Sequence, residues 1–177
     1  MNGGGGVIGG TNSWIESAET MRIWETAVEL KTPLLLLLGG TGKAESLAAL
    51  GRAMKRVPQL QLVLDHMADY NSRSQENVQA TIDPALLDAA SVPNLFVKVS
   101  THNLQRLTAN GRSARGTIKS LVNAYGAKRV IWGSDVGNSK VSYPDMIAMA
   151  KDAIADLPAA DQALILSGTA KSLYRRA

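Results

Sequence analysis

The 177-residue chain contains no cysteine. That absence removes disulfide frameworks, thiolate zinc sites and cysteine nucleophiles together. Aromatic side chains are scarce, at 5% with a single phenylalanine, so leucine, alanine, valine and isoleucine must build the core. Long apolar runs are missing too. The longest, residues 33–38, falls far short of the roughly 20 residues that a membrane helix needs. Neither sign of charge dominates: 19 basic residues against 15 acidic ones leave +4, with no long basic run to serve as a nucleic-acid footprint. Arg52, Lys55 and Arg56 fall on or just after one expected helix and read as a solvated face. The first residues show no basic segment followed by an apolar one, so no secretory signal is visible. These absences together lead us to expect a cytoplasmic protein with neither nucleic acid nor membrane as a partner.

The length suits one domain. Four short apolar runs stand out, at 33–38, 60–64, 94–99 and 129–132. Each is nearly continuous rather than alternating, the pattern of strands buried on both faces of a parallel sheet. The first is all leucine after Pro33, and helical by propensity alone. Thr32-Pro33 before it and Gly39-Gly40 after it favour a strand. Helical periodicity fills the gaps, over 17–30, 44–54, 117–125, 143–157 and 160–174. Asp83-Pro84 starts another helix, with the aspartate as cap and the proline in the first turn. Gly126 suits a helix stop. Successive strands begin 27, 34 and 35 residues apart, which is the spacing of βα units. Strict alternation of helix and strand implies a parallel sheet covered by helices. An open doubly wound sheet and a portion of a (β/α)₈ barrel both fit this pattern.

In parallel α/β folds, functional side chains lie where strands end. Three of the four strand ends deliver ionisable groups: Asp65-His66, then Lys98 with His102 a few residues beyond, and Gly133-Ser134-Asp135. Both histidines of the chain are among them. Asp135 can bind a divalent metal or take a proton from an attacking water, and it can equally cap a helix or bind a backbone amide. His66 can serve as a ligand, a base or a donor to an oxyanion, or pair structurally with Asp65. His102 is expected on a loop. Lys98 either meets a substrate carboxylate or forms a structural ion pair. The segment Gly39-Gly40-Thr41-Gly42-Lys43 imitates a phosphate-binding loop. It fails that pattern at Leu37 and Ala44, where a glycine and a serine or threonine are required.

Three strings carry a family resemblance. They are Leu62-Val63-Leu64-Asp65-His66-Met67, Asn94-Leu95-Phe96-Val97-Lys98-Val99-Ser100 and Ala127-Lys128-Arg129-Val130-Ile131-Trp132-Gly133-Ser134-Asp135. Together with the tail from Ala163 to Tyr174, this pattern resembles the amidohydrolase-related (amidohydrolase 2) family of barrel hydrolases, lactonases and decarboxylases. The resemblance implies an α/β fold, a partial (β/α)₈ TIM barrel comprising strands five to eight with their helices over 17–177. Residues 1–16 are then a flexible Gly-rich leader or a remnant of strand four near Val7-Ile8. It implies that Asp135 matches the strand-eight aspartate, a metal ligand or base, and that His66 matches the strand-six histidine that polarises substrate. His102 and Lys98 would bind a substrate carboxylate. A divalent metal, zinc or manganese, belongs to many members, but the expected ligands are missing here. The strand-one His-x-His pair has no counterpart, and Leu37 stands near the place of the strand-five histidine. The expected function is water attack on a carbonyl of a small lactone, amide or acid, with a homo-oligomer as one assembly. A decarboxylase using the same site, and a truncated barrel without activity, are the alternatives.

Overall fold

The computed structural model describes residues 12–38, 42–68 and 82–174. Ser17 starts the first helix by accepting the Thr20 N–H on its hydroxyl, satisfying one of the donors that a helix start leaves open. Helix α1 (Ala18–Glu29) then buries Met21, Trp24 and Ala27 on one stripe. Strand β1 (Leu34–Leu36) is followed by α2 (Lys43–Arg56) and β2 (Leu62–Leu64). Next come the short α3 (Pro84–Asp88) and β3 (Leu95–Ser100). The Asp83 carboxylate caps α3 by accepting the Ala85 N–H at 2.9 Å, as its Asp-Pro start implies. Helices α4 (Thr101–Ala109) and α5 (Ala114–Tyr125) lead to β4 (Val130–Gly133). Gly126 ends α5 with a left-handed φ of 74°. After α6 (Tyr143–Ala153), the chain closes with one continuous helical rod. It comprises α7 (Ala159–Ala163), a π-helical turn (Leu164–Gly168) and α8 (Thr169–Leu173).

The four strands are all parallel and lie in the order β1-β2-β3-β4. The distribution of the helices separates the two folds that the sequence leaves open. Side chains alternate across a strand, so Leu62 and Leu64 face one way and Val63 the other. The main core joins Leu62, Leu64, Leu95, Val97 and Val99 to apolar residues of α1 through α6. Every one of those helices therefore covers the same face. A doubly wound sheet would cover both, so this sheet is wound as in a barrel. The opposite face carries a small second cluster, in which Leu173 and Ala170 of the last helix pack on Val63, Phe96 and Ile131. On that face β1 presents Leu35 at 54% exposure.

Several expectations change at the element level. His102 lies on a helix, α4, and not on a loop, because Ser100 and Asn103 form a reciprocal capping box. The helix expected from Thr117 begins three residues earlier, where Ser113 accepts the Gly116 N–H. Arg52, Lys55 and Arg56 do form an exposed face, on which the Arg52 guanidinium also pairs with Glu16. Asn12–Glu16 is a helical turn with Ile15 fully buried, while residues 1–11, including Val7-Ile8, lie outside the described residues. Gly42 takes a left-handed φ of 78° before α2, and Lys43 is engaged by Asp83 at 2.8 Å. Among the described residues no helix is long and apolar enough to cross a membrane.

Candidate active site

The rim at the C-terminal ends of β2, β3 and β4 gathers Asp65, His66, Lys98, Ser100 and Asp135. Directly after β2 the chain makes an unusual turn. His66, Met67 and Ala68 all take left-handed φ values, of 50°, 57° and 51°. Each such residue costs about 1–2 kcal/mol unless its surroundings compensate. Here they do. The Asp65 carboxylate accepts the His66 N–H at 2.9 Å, and Asn103 Nδ2 donates to the His66 carbonyl at 3.0 Å. Both backbone groups of His66 are thus held by side chains, and the imidazole is turned into the rim. Asp135 is also left-handed, at φ 54°, and its Oδ1 accepts from Asn138 Nδ2 at 2.9 Å.

The imidazole is the hub. Nε2 lies 3.7 Å from Asp135 Oδ2 and 3.8 Å from Asp65 Oδ2. On the far side Nδ1 meets Ser100 Oγ at 2.7 Å. The side chains of His66 and Asp135 are only 8% and 16% exposed, so their interaction is little screened by water. Lys98 reaches across to Asp65 Oδ1 at 2.8 Å. This route depends on Gly133 of the neighbouring strand: a Cβ there would sit 2.5 Å from Lys98 Cε. Tyr174, at the end of the closing helix, lies within electrostatic range of the Asp65 carboxylate. Its phenol is held above its ordinary range first by burial and then by the Asp65 carboxylate.

Of the residues singled out in the sequence, Asp135 and His66 are brought together. Lys98 joins them through Asp65, as an ion pair. His102 sits apart on the first turn of α4, solvent-exposed, with its ring edge-on to His66 at a centroid separation of 6.2 Å. Sequence reasoning passed over Ser100, Asn103 and Gly133. The Ser100-x-x-Asn103 spacing is itself a helix-start signal and could have revealed the first two. Gly133 carries no such signal, because its role is space for a side chain on another strand.

A catalytic zinc ion usually needs three protein ligands. Among the described residues no group of three or more His, Asp or Glu side chains could hold an ion. Asp65 is neutralised by Lys98, which leaves Asp135 and His66 as a pair. Leu37, near the place of a further ligand, offers only a half-exposed aliphatic chain. The described donors do not fit such an ion.

A singly wound parallel sheet with a carboxylate–imidazole pair at its C-terminal rim defines a barrel-type α/β protein. More specifically, the chain belongs to the amidohydrolase family, whose model matches residues 4–176. The fold is shared with a zinc-bound amidohydrolase from Burkholderia multivorans, at 19% identity and a TM-score of 0.73 over 92% of this chain and 59% of that one. A protein from Pseudomonas putida named for 2-pyrone-4,6-dicarboxylic acid hydrolysis gives 22% identity and a TM-score of 0.65 over 90% and 57%. A dihydroxybenzoic acid decarboxylase from Polaromonas sp. JS666, bound to manganese and 2-nitroresorcinol, gives 17% and 0.62 over 92% and 56%. The chain thus spans less than two thirds of the length of each of these structures. No curated protein matches it.

Proposed function

We propose that this rim hydrolyses a small carbonyl compound, a lactone or an amide bearing a carboxylate. The observation that carries the reading is the approach of Asp135 Oδ2 to 3.7 Å from His66 Nε2, two largely buried side chains from the ends of different strands. Asp135 Oδ2 takes a proton from a water as its oxygen attacks the carbonyl carbon. The carbonyl π pair moves onto oxygen, and a proton on His66 Nε2 donates to that developing oxyanion. When the tetrahedral species collapses, the C–O or C–N bond breaks. The leaving atom then recovers the proton from Asp135. Lys98 spends one of its three N–H bonds on Asp65 and, with His102 at the outer edge, attracts the substrate carboxylate. Activity on a panel of carboxylated lactones and amides tests this reading. Asp135→Asn should lower it by about 10²–10⁴-fold, the usual contribution of a general base, with the fold unchanged by circular dichroism. Full activity in Asp135→Asn would remove Asp135 from the mechanism.

A second reading has its own support. Among the described residues β1 pairs only with β2, and its face opposite the helices leaves Leu35 exposed. On this reading the rim is silent in this chain alone and the open edge associates. Sedimentation then shows concentration-dependent assembly, whereas a monodisperse monomer with hydrolytic activity rejects it. Decarboxylation has less support, because the metal-dependent form needs a donor set that the described rim lacks.

A further inference from the structure

Ser100 takes no part in the bond changes above, yet it is fully enclosed at the centre of the rim. Its hydroxyl has one proton and, among the described residues, three polar neighbours. The Asn103 N–H, an obligate donor, points at Oγ from 3.3 Å. Asn103 Oδ1 at 3.0 Å and His66 Nδ1 at 2.7 Å compete for the hydroxyl proton. The orientation of the Asn103 amide is settled by backbone groups that cannot exchange roles. Its Nδ2 donates to the His66 carbonyl at 3.0 Å, and its Oδ1 accepts the Ser100 N–H at 2.9 Å. Oδ1 therefore already holds a donor, so the hydroxyl proton gains more at the shorter contact, on Nδ1. The other end of the ring asks for the same arrangement. A lone pair on Nε2 would face the carboxylates of Asp65 and Asp135 at 3.8 and 3.7 Å, whereas an N–H there is attracted by both.

We propose that Ser100 is a positioning residue: its hydroxyl donates to His66 Nδ1 and so keeps the proton of the neutral ring on Nε2, the nitrogen turned toward the substrate. This rests on the reading of His66 as the group that polarises the carbonyl, since only an Nε2–H can donate to that oxygen. The role is distinct from helix capping. As a cap, Oγ accepts the Asn103 N–H; as a positioning group, it spends its proton on the imidazole.

Long-range ¹⁵N–¹H spectra of the imidazoles read the tautomer directly and need no substrate. The chain has two histidines, and His102→Gln assigns the two ring systems. In mildly alkaline buffer, His66 should show a protonated Nε2 and a bare Nδ1. Ser100→Gly and Ser100→Ala should lower the ratio of Nε2–H to Nδ1–H by about five- to tenfold, as expected for losing one hydrogen bond. Glycine is an acceptable helix N-cap, so Ser100→Gly separates loss of the donor from loss of the cap. Ser100→Thr, which keeps the hydroxyl, should restore the wild-type pattern. A bare Nε2 in the wild-type spectrum overturns the proposal, and that measurement requires no variant to fold. An unchanged ratio in folded Ser100→Gly and Ser100→Ala overturns it as well. Should Asp135→Asn stay fully active, the hydrolytic reading falls while the tautomer assignment still stands or falls on the spectra alone.

Discussion

Replacing Lys98 with methionine keeps an unbranched chain of similar length and removes the charge. The wild-type ammonium lies 2.8 Å from Asp65 Oδ1, with side chains only 20% and 12% exposed. Breaking a fully buried pair costs about 3–5 kcal/mol, because the remaining ion stays desolvated, whereas exposed pairs are worth about 0–1 kcal/mol. This pair sits between those limits and nearer the buried one, so about 2–3 kcal/mol is expected. The arrangement of the rim supports the upper half of that range. Without Lys98, the carboxylates of Asp65 and Asp135 share the single imidazole between them. In a chain of this size, that loss lowers Tm by roughly 4–12 °C. Urea titration followed by circular dichroism gives the same quantity, with an unchanged m value showing that only stability moved. Asp65→Asn keeps an acceptor for the His66 N–H but carries no charge. The pair Lys98→Met with Asp65→Asn should therefore recover most of the loss in a double-mutant cycle. The reasoning is refuted if Lys98→Met shifts Tm by less than about 2 °C, or if the double variant is no more stable than Lys98→Met alone.

Gly133→Ala should act on the same pair without touching it. The added methyl lies where Lys98 Cε now passes, so the lysine leaves Asp65 and the variant is destabilised by about 1–2 kcal/mol, less than Lys98→Met because the flexible stem can move aside. A cycle combining Gly133→Ala with Lys98→Met should then be strongly non-additive. Tyr125→Phe removes the donor to the Leu86 carbonyl at 2.6 Å and should cost about 1–2 kcal/mol in urea titration. Burial raises the Tyr125 pKa above its ordinary 10.0, against the opposing pull of Arg129. Its contribution to stability is therefore complete below pH 10 and declines above it, where the unfolded chain loses the phenolic proton and the folded one keeps it. A flatter alkaline limb in Tyr125→Phe is the expected result, and an unchanged limb counts against it. Leu173→Ala should cost about 2–3 kcal/mol, because it uncovers Val63 and Ile131 on the face opposite the main helix layer. Chemical denaturation measures that loss.

Strands, helices and their alternation were legible because they rest on local chemistry. A continuous apolar run, a cap at Asp83-Pro84 and a stop at Gly126 each act within a few residues of chain. The placement of Asp65, His66, Lys98 and Asp135 at strand ends followed from the same reasoning, since a parallel sheet sends the ends of all its strands to one rim. The segment after β3 was misread for an equally local reason: its capping box uses Asn103 in place of the more familiar glutamate or glutamine, and the start of α4 passed for a loop.

By itself, then, the sequence determined the βα order, the apolar faces and the set of ionisable groups delivered to the rim. Only the tertiary structure decided that all the helices of the main core lie on one face, which makes the sheet barrel-like. It alone placed Lys98 on Asp65 through the space left by Gly133, and Ser100 against the ring of His66. Those outcomes depend on distances between residues more than thirty positions apart. Hydrophobic periodicity records which face of an element is buried, but it carries no record of which atom from another strand will meet it there.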